Sequence, residues 1–245
     1  ARLPDRHAID DALFAGDGEM PPASLYFPDA GQIYLRDGWG PDATYLIFDA
    51  TRWGGGHCHL SRNSVNLHVR GRPVLVDPGT LTYEGSDPLA AHGKSTRAHN
   101  TLNLNGWNQS ETDPSRTRFF SGAGYEVASS DYEGGYWPGR YHWNFREGHG
   151  RGLWASHNRS MMWVRGRFIF IVDNFTRSPE SVPETEKPFA EFNWQFEAGP
   201  IQCDAAGRRA WTGYPDRNLL MLFPYGSEGW TMSVAEGSRD PWRGW

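Results

Sequence analysis

The stretch "NSVNLHVRGRPVLVD", residues 63–77, decides the fold class. Val65, Leu67 and Val69 alternate with Asn66 and His68, so an extended strand here has one apolar and one polar face. Arg70-Gly71 supplies a two-residue turn, and "PVLVD" returns as the second strand of a hairpin. The same pattern recurs in "HNRSMMWVRGRFIFIVDNFT" (157–176), a longer hairpin around Arg165-Gly166. Shorter β-branched and aromatic runs, bounded by Gly, Asp and Pro, mark strands at "GQIYLRDG" (31–38), "TYLIFDA" (44–50), "NTLNLN" (100–105), "TRFFSG" (117–122) and "YEVASSDY" (125–132). Others are expected at "FAEFNWQFEA" (189–198), "RRAWTGY" (208–214), "NLLMLFPY" (218–225) and near "WTMSVAE" (230–236). About a dozen strands separated by turns predict an all-β fold, a two-sheet antiparallel β-sandwich with little helix. No repeat of fixed period is visible, which argues against a propeller or β-helix.

The 245 residues suffice for one large domain or two small ones with a substantial core. Residues 1–24 are polar and proline-rich, with a short helix expected at "AIDDALFAG" (8–16); they read as a lead-in to a sandwich over 25–245. "RSPESVPETEKP" (177–188) reads as a charged surface loop. A net charge of -5 argues against a nucleic-acid partner. Lysine occurs only at Lys94 and Lys187, so the cations are nearly all arginine. The flat guanidinium suits carboxylates and sulfates, although a compositional bias explains the same count. Cys58 and Cys203 make no disulfide framework. No apolar run is long enough to span a membrane, and no signal peptide is expected.

"GGGHCHLSRNS" (54–64) places His57 and His59 two residues apart, on one side of the chain if that segment is extended. Imidazole nitrogen suits zinc, and a His-x-His pair joined by a distant carboxylate and another histidine is a common ligand set. Asp77, in "VLVDPGTLTYEG" (74–85), is the candidate carboxylate, and His99, in "RAHNTLNLNG" (97–106), the further histidine. Simple hairpin register sets Asp77 opposite Ser64, and five extended residues span roughly 17 Å. The chain must therefore bend around Leu60 to Arg62 if these groups are to share an ion. On spacing alone, solvated or packed histidines compete with the metal reading. His68 is expected to face solvent, and His92 to lie in a loop from which it could reach a ligand, with a plain loop histidine the favoured reading. His142, His149 and His157 read as surface or satisfied core groups. Tyr83 could donate a proton or stack on a sugar, against a structural role at a strand end. "NGW" (105–107) reads as a turn, with Trp107 as a stacking platform. No G-x-S-x-G elbow, P-loop or dinucleotide fingerprint is present.

Taken together, "GGGHCHLSRNSVNLHVRGRPVLVDPGTLTYEG" (54–85) and "STRAHNTLNLNGWNQSE" (95–111) resemble the β-sandwich domain of the heparinase II/III-like polysaccharide lyases. "FPDAGQIYLRDGW" (27–39), the 157–175 hairpin and the terminal "RDPWRGW" share the likeness. The resemblance implies β-elimination of uronic-acid polysaccharides, with heparan-, alginate- and hyaluronan-like chains all open. It also implies an N-terminal helical toroid as partner domain, with the acidic polysaccharide bound between the two. His57 then matches the catalytic histidine of the sandwich, and His59, Asp77 and His99 match a zinc site. Tyr83, Asn100 and Trp107 are the expected substrate contacts, and the location is periplasmic or secreted. Two departures stand out. Many relatives carry an aspartate shortly after the histidine pair, where this chain reads "HLSRNS", and no helical toroid lies within the 245 residues. The segment alone is therefore expected to be inactive. Two rival readings are a non-catalytic carbohydrate-binding sandwich and a metal-stabilised structural domain.

Overall fold

The computed structural model describes residues 21–137, 155–177, 189–224, 229–239 and 242–243. Strands β1 (Leu25–Phe27), β2 (Gln32–Arg36), β3 (Tyr45–Asp49), β4 (Ser64–Val69) and β5 (Arg72–Leu75) pair in chain order as one antiparallel sheet. Helix α1 (Pro88–Lys94) and a 3-10 turn (Thr96–Ala98) follow, then β6 (Leu102–Leu104) and β7 (Asn108–Gln109). Next come β8 (Arg116–Gly122), β9 (Tyr125–Tyr132), β10 (Tyr136–Trp137), β11 (Ala155–Val164) and β12 (Phe168–Arg177). β8, β9, β11 and β12 form a second sheet in the order β12-β11-β9-β8. The chain continues through β13 (Ala190–Phe192), β14 (Ile201–Asp204), β15 (Arg209–Thr212), β16 (Leu220–Leu222), β17 (Ser238–Arg239) and β18 (Trp242–Arg243). β14 to β16 make a small sheet; β6 pairs with β13, β7 with β10, and β17 with β18.

The deciding hairpin forms as its pattern requires. Arg70 (φ 52°) and Gly71 (φ 71°) both take the left-handed conformation, which matches the twist of the strands they join. A side chain at Gly71 would also collide with the Pro41 carbonyl. One feature was not legible in the pattern. Val69 pairs with Arg72 and His68 with Pro73, but Leu67 pairs with Leu75, so a bulge at Val74 moves the rest of β5 by one residue. Asp77 is thus carried one position further along β4 than simple counting suggests.

Period-two alternation builds the core. Ile33, Leu35, Leu46, Phe48, Val65 and Leu67 of the first sheet are buried against Ala128, Met161 and Trp163 of the second. The β11–β12 hairpin closes through Arg165-Gly166-Arg167, with Gly166 at φ 68°. Three expectations need correction. "WTMSVAE" forms no strand, and "FAEFNWQFEA" is a strand only over Ala190–Phe192, beyond which Phe196 makes one bridge to Leu75. His92 lies on α1 rather than in a loop. Asp87 caps that helix by accepting the Leu89 N–H at 2.9 Å, and Pro88 occupies its first turn. The expected helix at 8–16, most of the 1–24 lead-in, and all but the first residue of the 177–188 loop lie outside the described residues.

The two sheets are also joined by polar groups. Arg159 on β11 is fully buried, and its Nε and Nη2 donate to the Asp173 carboxylate at 2.7 and 3.1 Å. Its Nη1 donates to the carbonyls of Asn63 (2.9 Å) and Asn100 (2.7 Å). His157 donates Nε2–H to Asp173 at 2.7 Å and is a core residue, although its Nδ1 is buried without a partner among the described residues. Burial alone would raise the Asp173 pKa, but the Arg159 charge and the bonds from His157 and Arg159 outweigh it and hold the carboxyl below its usual range. Replacing Arg159 by Met keeps an unbranched apolar stem but removes the guanidinium, leaving the Asp173 carboxylate with His157 alone and two buried carbonyls without this donor. Arg159→Met is expected to cost about 3–5 kcal/mol in urea denaturation; a loss under about 1 kcal/mol would show that this cation does not hold the sheets together.

Candidate metal centre

The 50–63 segment between β3 and β4 is not a strand, which corrects the extended reading of His57 and His59. The glycines make a turn instead, closed by the Cys58 N–H to the Gly55 carbonyl at 2.9 Å, with Gly55 at φ 97°. His57 emerges exposed from this turn, whereas His59 is half-buried. The bend required near Leu60–Arg62 is present. Leu60 N–H donates to the Lys94 carbonyl (2.9 Å), and Ser64 N–H closes a turn onto the Ser61 carbonyl (2.9 Å). Asn63 sits at φ 63°, a conformation asparagine tolerates better than most residues. Its side-chain amide donates to the His157 carbonyl at 2.9 Å.

This bend brings three side chains together from three loops. The ligating atoms of His59, Asp77 and His99 all lie within 4.8 Å of one another. His59 Nδ1 stands 3.0 Å from His99 Nε2, and Asp77 Oδ2 stands 3.5 Å from the same nitrogen. The protonation pattern follows from the partners. The Ser95 carbonyl, 2.7 Å from His99 Nδ1, can only accept, so Nδ1 carries a proton and Nε2 is the nitrogen turned toward the other two groups. Asp77 uses Oδ1 to accept the Gly79 N–H at 2.9 Å and directs Oδ2 inward. Burial first, then the neighbouring His99, lowers the His59 pKa to about 4, which keeps that ring in the neutral form a metal requires.

The donor set fits a small divalent ion. Ligand atoms bound at about 2.0–2.1 Å around a tetrahedral ion stand roughly 3.3 Å apart, and the observed 3.0 and 3.5 Å bracket that spacing. Two imidazoles and one carboxylate leave a fourth tetrahedral position. Supporting contacts hold the loops. Lys94 Nζ donates to the Gly56 carbonyl at 2.7 Å, and Arg62 Nη1 reaches the His59 carbonyl at 3.3 Å. Gln109 clasps Arg62 from both sides, accepting its N–H at 2.7 Å and donating to its carbonyl at 2.9 Å.

Other expected site residues divide. Tyr83 is 83% exposed on the loop that follows Asp77, open to a ligand. Asn100 is a correction. It is fully buried, its amide donates to the carbonyls of Val65 (2.7 Å) and Val76 (2.9 Å), and its oxygen accepts the Gln195 N–H, so its polar atoms are turned to the protein interior. Trp107 is partly buried. The 105–107 turn forms, with Asn105 and Gly106 left-handed, but the indole packs against the Leu102, Leu104 and Tyr136 cluster. His68 is half-buried and stacks on Tyr45 at 4.3 Å. His92, missed as a neighbour of the site, is buried on α1, and burial, then His99 and Arg97, lowers its pKa to about 4. The Asp87-Pro88 helix start was the sequence signal that could have placed it. Cys58 and Cys203 are both free thiols.

Comparison with known proteins bears on the family and the fold. A family model described as Heparinase II/III-like, C-terminal, matches residues 19–245. Among curated proteins, the chain is similar to a heparin-sulfate lyase of Pedobacter heparinus, 23% identical over 91% of this chain and 32% of that protein. A heparin-sulfate lyase of Bacteroides stercoris is 24% identical over 90% of this chain and 30% of that protein. The chain thus spans about a third of the length of the curated relatives it matches. Among solved structures, heparan sulfate lyase HepC from Pedobacter heparinus superposes with a TM-score of 0.68 at 21% identity, over 87% of this chain and 31% of that one. Heparinase III superposes with a TM-score of 0.63 at 18% identity, over 83% and 29% respectively. With the family model covering nearly the whole sequence, this chain belongs to the heparinase II/III-like C-terminal domain family.

Proposed function

We propose that this chain is the β-sandwich part of a polysaccharide lyase that cleaves a heparan-sulfate-like, uronic-acid-containing glycan by β-elimination. The observation that carries the reading is the loop on which exposed His57 stands two residues from His59, itself gathered with Asp77 and His99. The names of the curated relatives, both heparin-sulfate lyases, support the substrate class. A helical toroid, supplied by the parent protein, forms the other wall of the substrate cleft, and the chain alone has little or no activity. The proposed location is periplasmic or secreted. No helix among the described residues is long and apolar enough to cross a membrane.

The chemistry assigns distinct work to each group. Removing the proton at C5 of a uronate requires the adjacent carboxylate charge to be offset and a base within hydrogen-bond reach. Exposed His57 is placed to contact the sugar acid, as the base or as the donor that offsets its charge. His59, Asp77 and His99 would hold zinc, which when bound supplies a fixed positive charge joining three loops. Neutral His59 and the Ser95-oriented His99 present lone pairs, while Asp77 brings the balancing negative charge. Tyr83 stands on the loop after Asp77 as a further sugar contact.

In the full-length parent, His57→Ala is expected to lower kcat/KM on heparan sulfate by about 10²–10⁴-fold, read from the absorbance of the unsaturated product, with Tm unchanged. Near-normal turnover would remove His57 from the mechanism. Separately, purified chain is expected to carry about one zinc per molecule by elemental analysis. Asp77→Ala and His59→Ala should release the metal and lower Tm, as should a chelator acting on the unaltered chain. Metal-free protein that melts at the same temperature with and without added zinc would defeat the assignment.

A further inference from the structure

The first sheet carries a second feature on its outward face. Ile33 and Leu35 point into the core, so alternation turns Gln32, Tyr34 and Arg36 of β2 outward. With Leu25, Phe27 and Trp39 they line a groove of about 390 Å³. The aromatic walls are exposed to an unusual degree for residues in a hollow, Phe27 at 48% and Trp39 at 42%. They are also held in place. Phe27 meets Tyr34 edge to face at 5.7 Å, and Trp39 Nε1–H donates to the Pro21 carbonyl at 3.0 Å.

Arg36 gives the groove its charge. Its guanidinium lies over the Trp39 ring at 4.7 Å and the Tyr45 ring at 5.1 Å, and Tyr45 in turn stacks on His68. Among the described residues no carboxylate pairs with Arg36, and no acidic residue lines the groove. The two rings hold the guanidinium carbon near their faces, and its N–H groups suit a carboxylate acceptor, which an arginine can bind through two parallel bonds. Rigid aromatic faces with one unpaired cation suit a sugar ring that bears an acid group.

The Arg36–Trp39 end of the groove is apart from the metal centre, while Gln32 and Phe27, which line its other end, lie in the row where the histidine loop departs. Arg36, Tyr45 and His68 pair across one end of β2 to β4, while Gln32, Asp49 and Ser64 pair across the other, where the histidine loop departs. Four strand residues, about 13 Å, separate the two rows. We infer that the Phe27–Tyr34–Arg36–Trp39 groove is a second, non-catalytic binding site for a uronate-bearing saccharide, with the sugar face on Trp39 and its carboxylate on Arg36. The choice of glycan rests on the function proposed above; the groove itself does not.

The test is calorimetric titration of the 245-residue chain carrying His57→Ala, with a heparin octasaccharide and with neutral cellohexaose. Saturable binding of the octasaccharide is expected, at least about tenfold tighter than cellohexaose. Trp39→Ala and, independently, Arg36→Gln should each weaken it about tenfold or more. The second variant serves if the first does not fold. Octasaccharide affinity unchanged in both variants, no octasaccharide binding, or equal binding of cellohexaose would each overturn the site. Lyase assays of the full-length parent decide the other question. Groove binding in a parent with no lyase activity supports the groove and rejects the catalytic reading, and an active parent whose sandwich binds no octasaccharide does the reverse.

Discussion

A guanidinium carried wholly out of water is costly unless it is paired, and the pairing made by Arg159 shapes the rest of the molecule. Desolvating such a cation costs several kcal/mol, and the structure meets the cost with Asp173 and with two backbone carbonyls, those of Asn63 and Asn100. Those carbonyls belong to different loops, one leading from the histidine pair into β4, the other leading from the 3-10 turn into β6. Movement of either loop would leave a buried N–H without a partner. The sandwich core therefore fixes, through one side chain from the second sheet, the backbone beside two of the three candidate metal ligands.

That backbone is then triangulated by neighbours that never touch the ion. His99 is adjacent to Asn100, so the Arg159 bond and the Ser95 contact together determine where its Nε2 points. The position of His59 is set from the other side. The end of α1 receives Leu60 N–H on the Lys94 carbonyl and returns the Lys94 ammonium to the Gly56 carbonyl. Gln109 clasps Arg62 and also donates its own N–H to Thr96 at 2.8 Å, which links the histidine loop to the turn that carries His99. The candidate ligands are thus oriented by the protein itself, the arrangement by which surrounding hydrogen bonds raise affinity at a metal site. The glycine turn separates two histidines of identical chemistry, burying His59 among these contacts and leaving His57 in solvent.

Much of this was legible, in proportion to how local the cause was. The hairpins at 63–77 and 157–176 follow from alternation and turn chemistry inside fifteen to twenty residues, and both formed. The His59, Asp77 and His99 group was reachable because its chemistry restricts the residue types, and the bend it demanded lies at Ser61–Ser64. What failed was set by tertiary contact. The bulge at Val74 shifts register without any glycine to announce it. "HCH" reads as a strand by spacing but is bent by a turn anchored on Lys94 and Gly55. Asn100 looked like a ligand contact because its polarity is visible in sequence, whereas the Val65, Val76 and Gln195 backbone groups it satisfies are not. α1 is only seven residues long and has no apolar periodicity to reveal it, although its Asp-Pro start was in plain view.

The first sheet carries the groove's Arg36 and Trp39 toward one end and the departure of the histidine loop at the other, and a polymer experiences the two differently from a short sugar. On the proposed reading, an acidic chain resting on Trp39 and Arg36 raises the effective concentration of its distant residues at the histidine loop, provided the intervening glycan can span the separation. A rigid sheet favours this coupling, since β2, β3 and β4 are continuous hydrogen-bonded strands whose inward faces are locked in the core. The benefit is confined to long substrates, because an oligosaccharide shorter than the span can occupy one site or the other but gains nothing from both. Binding at the groove therefore affects how often a polymer is presented to His57, and leaves the proton-transfer step to the groups beside the metal.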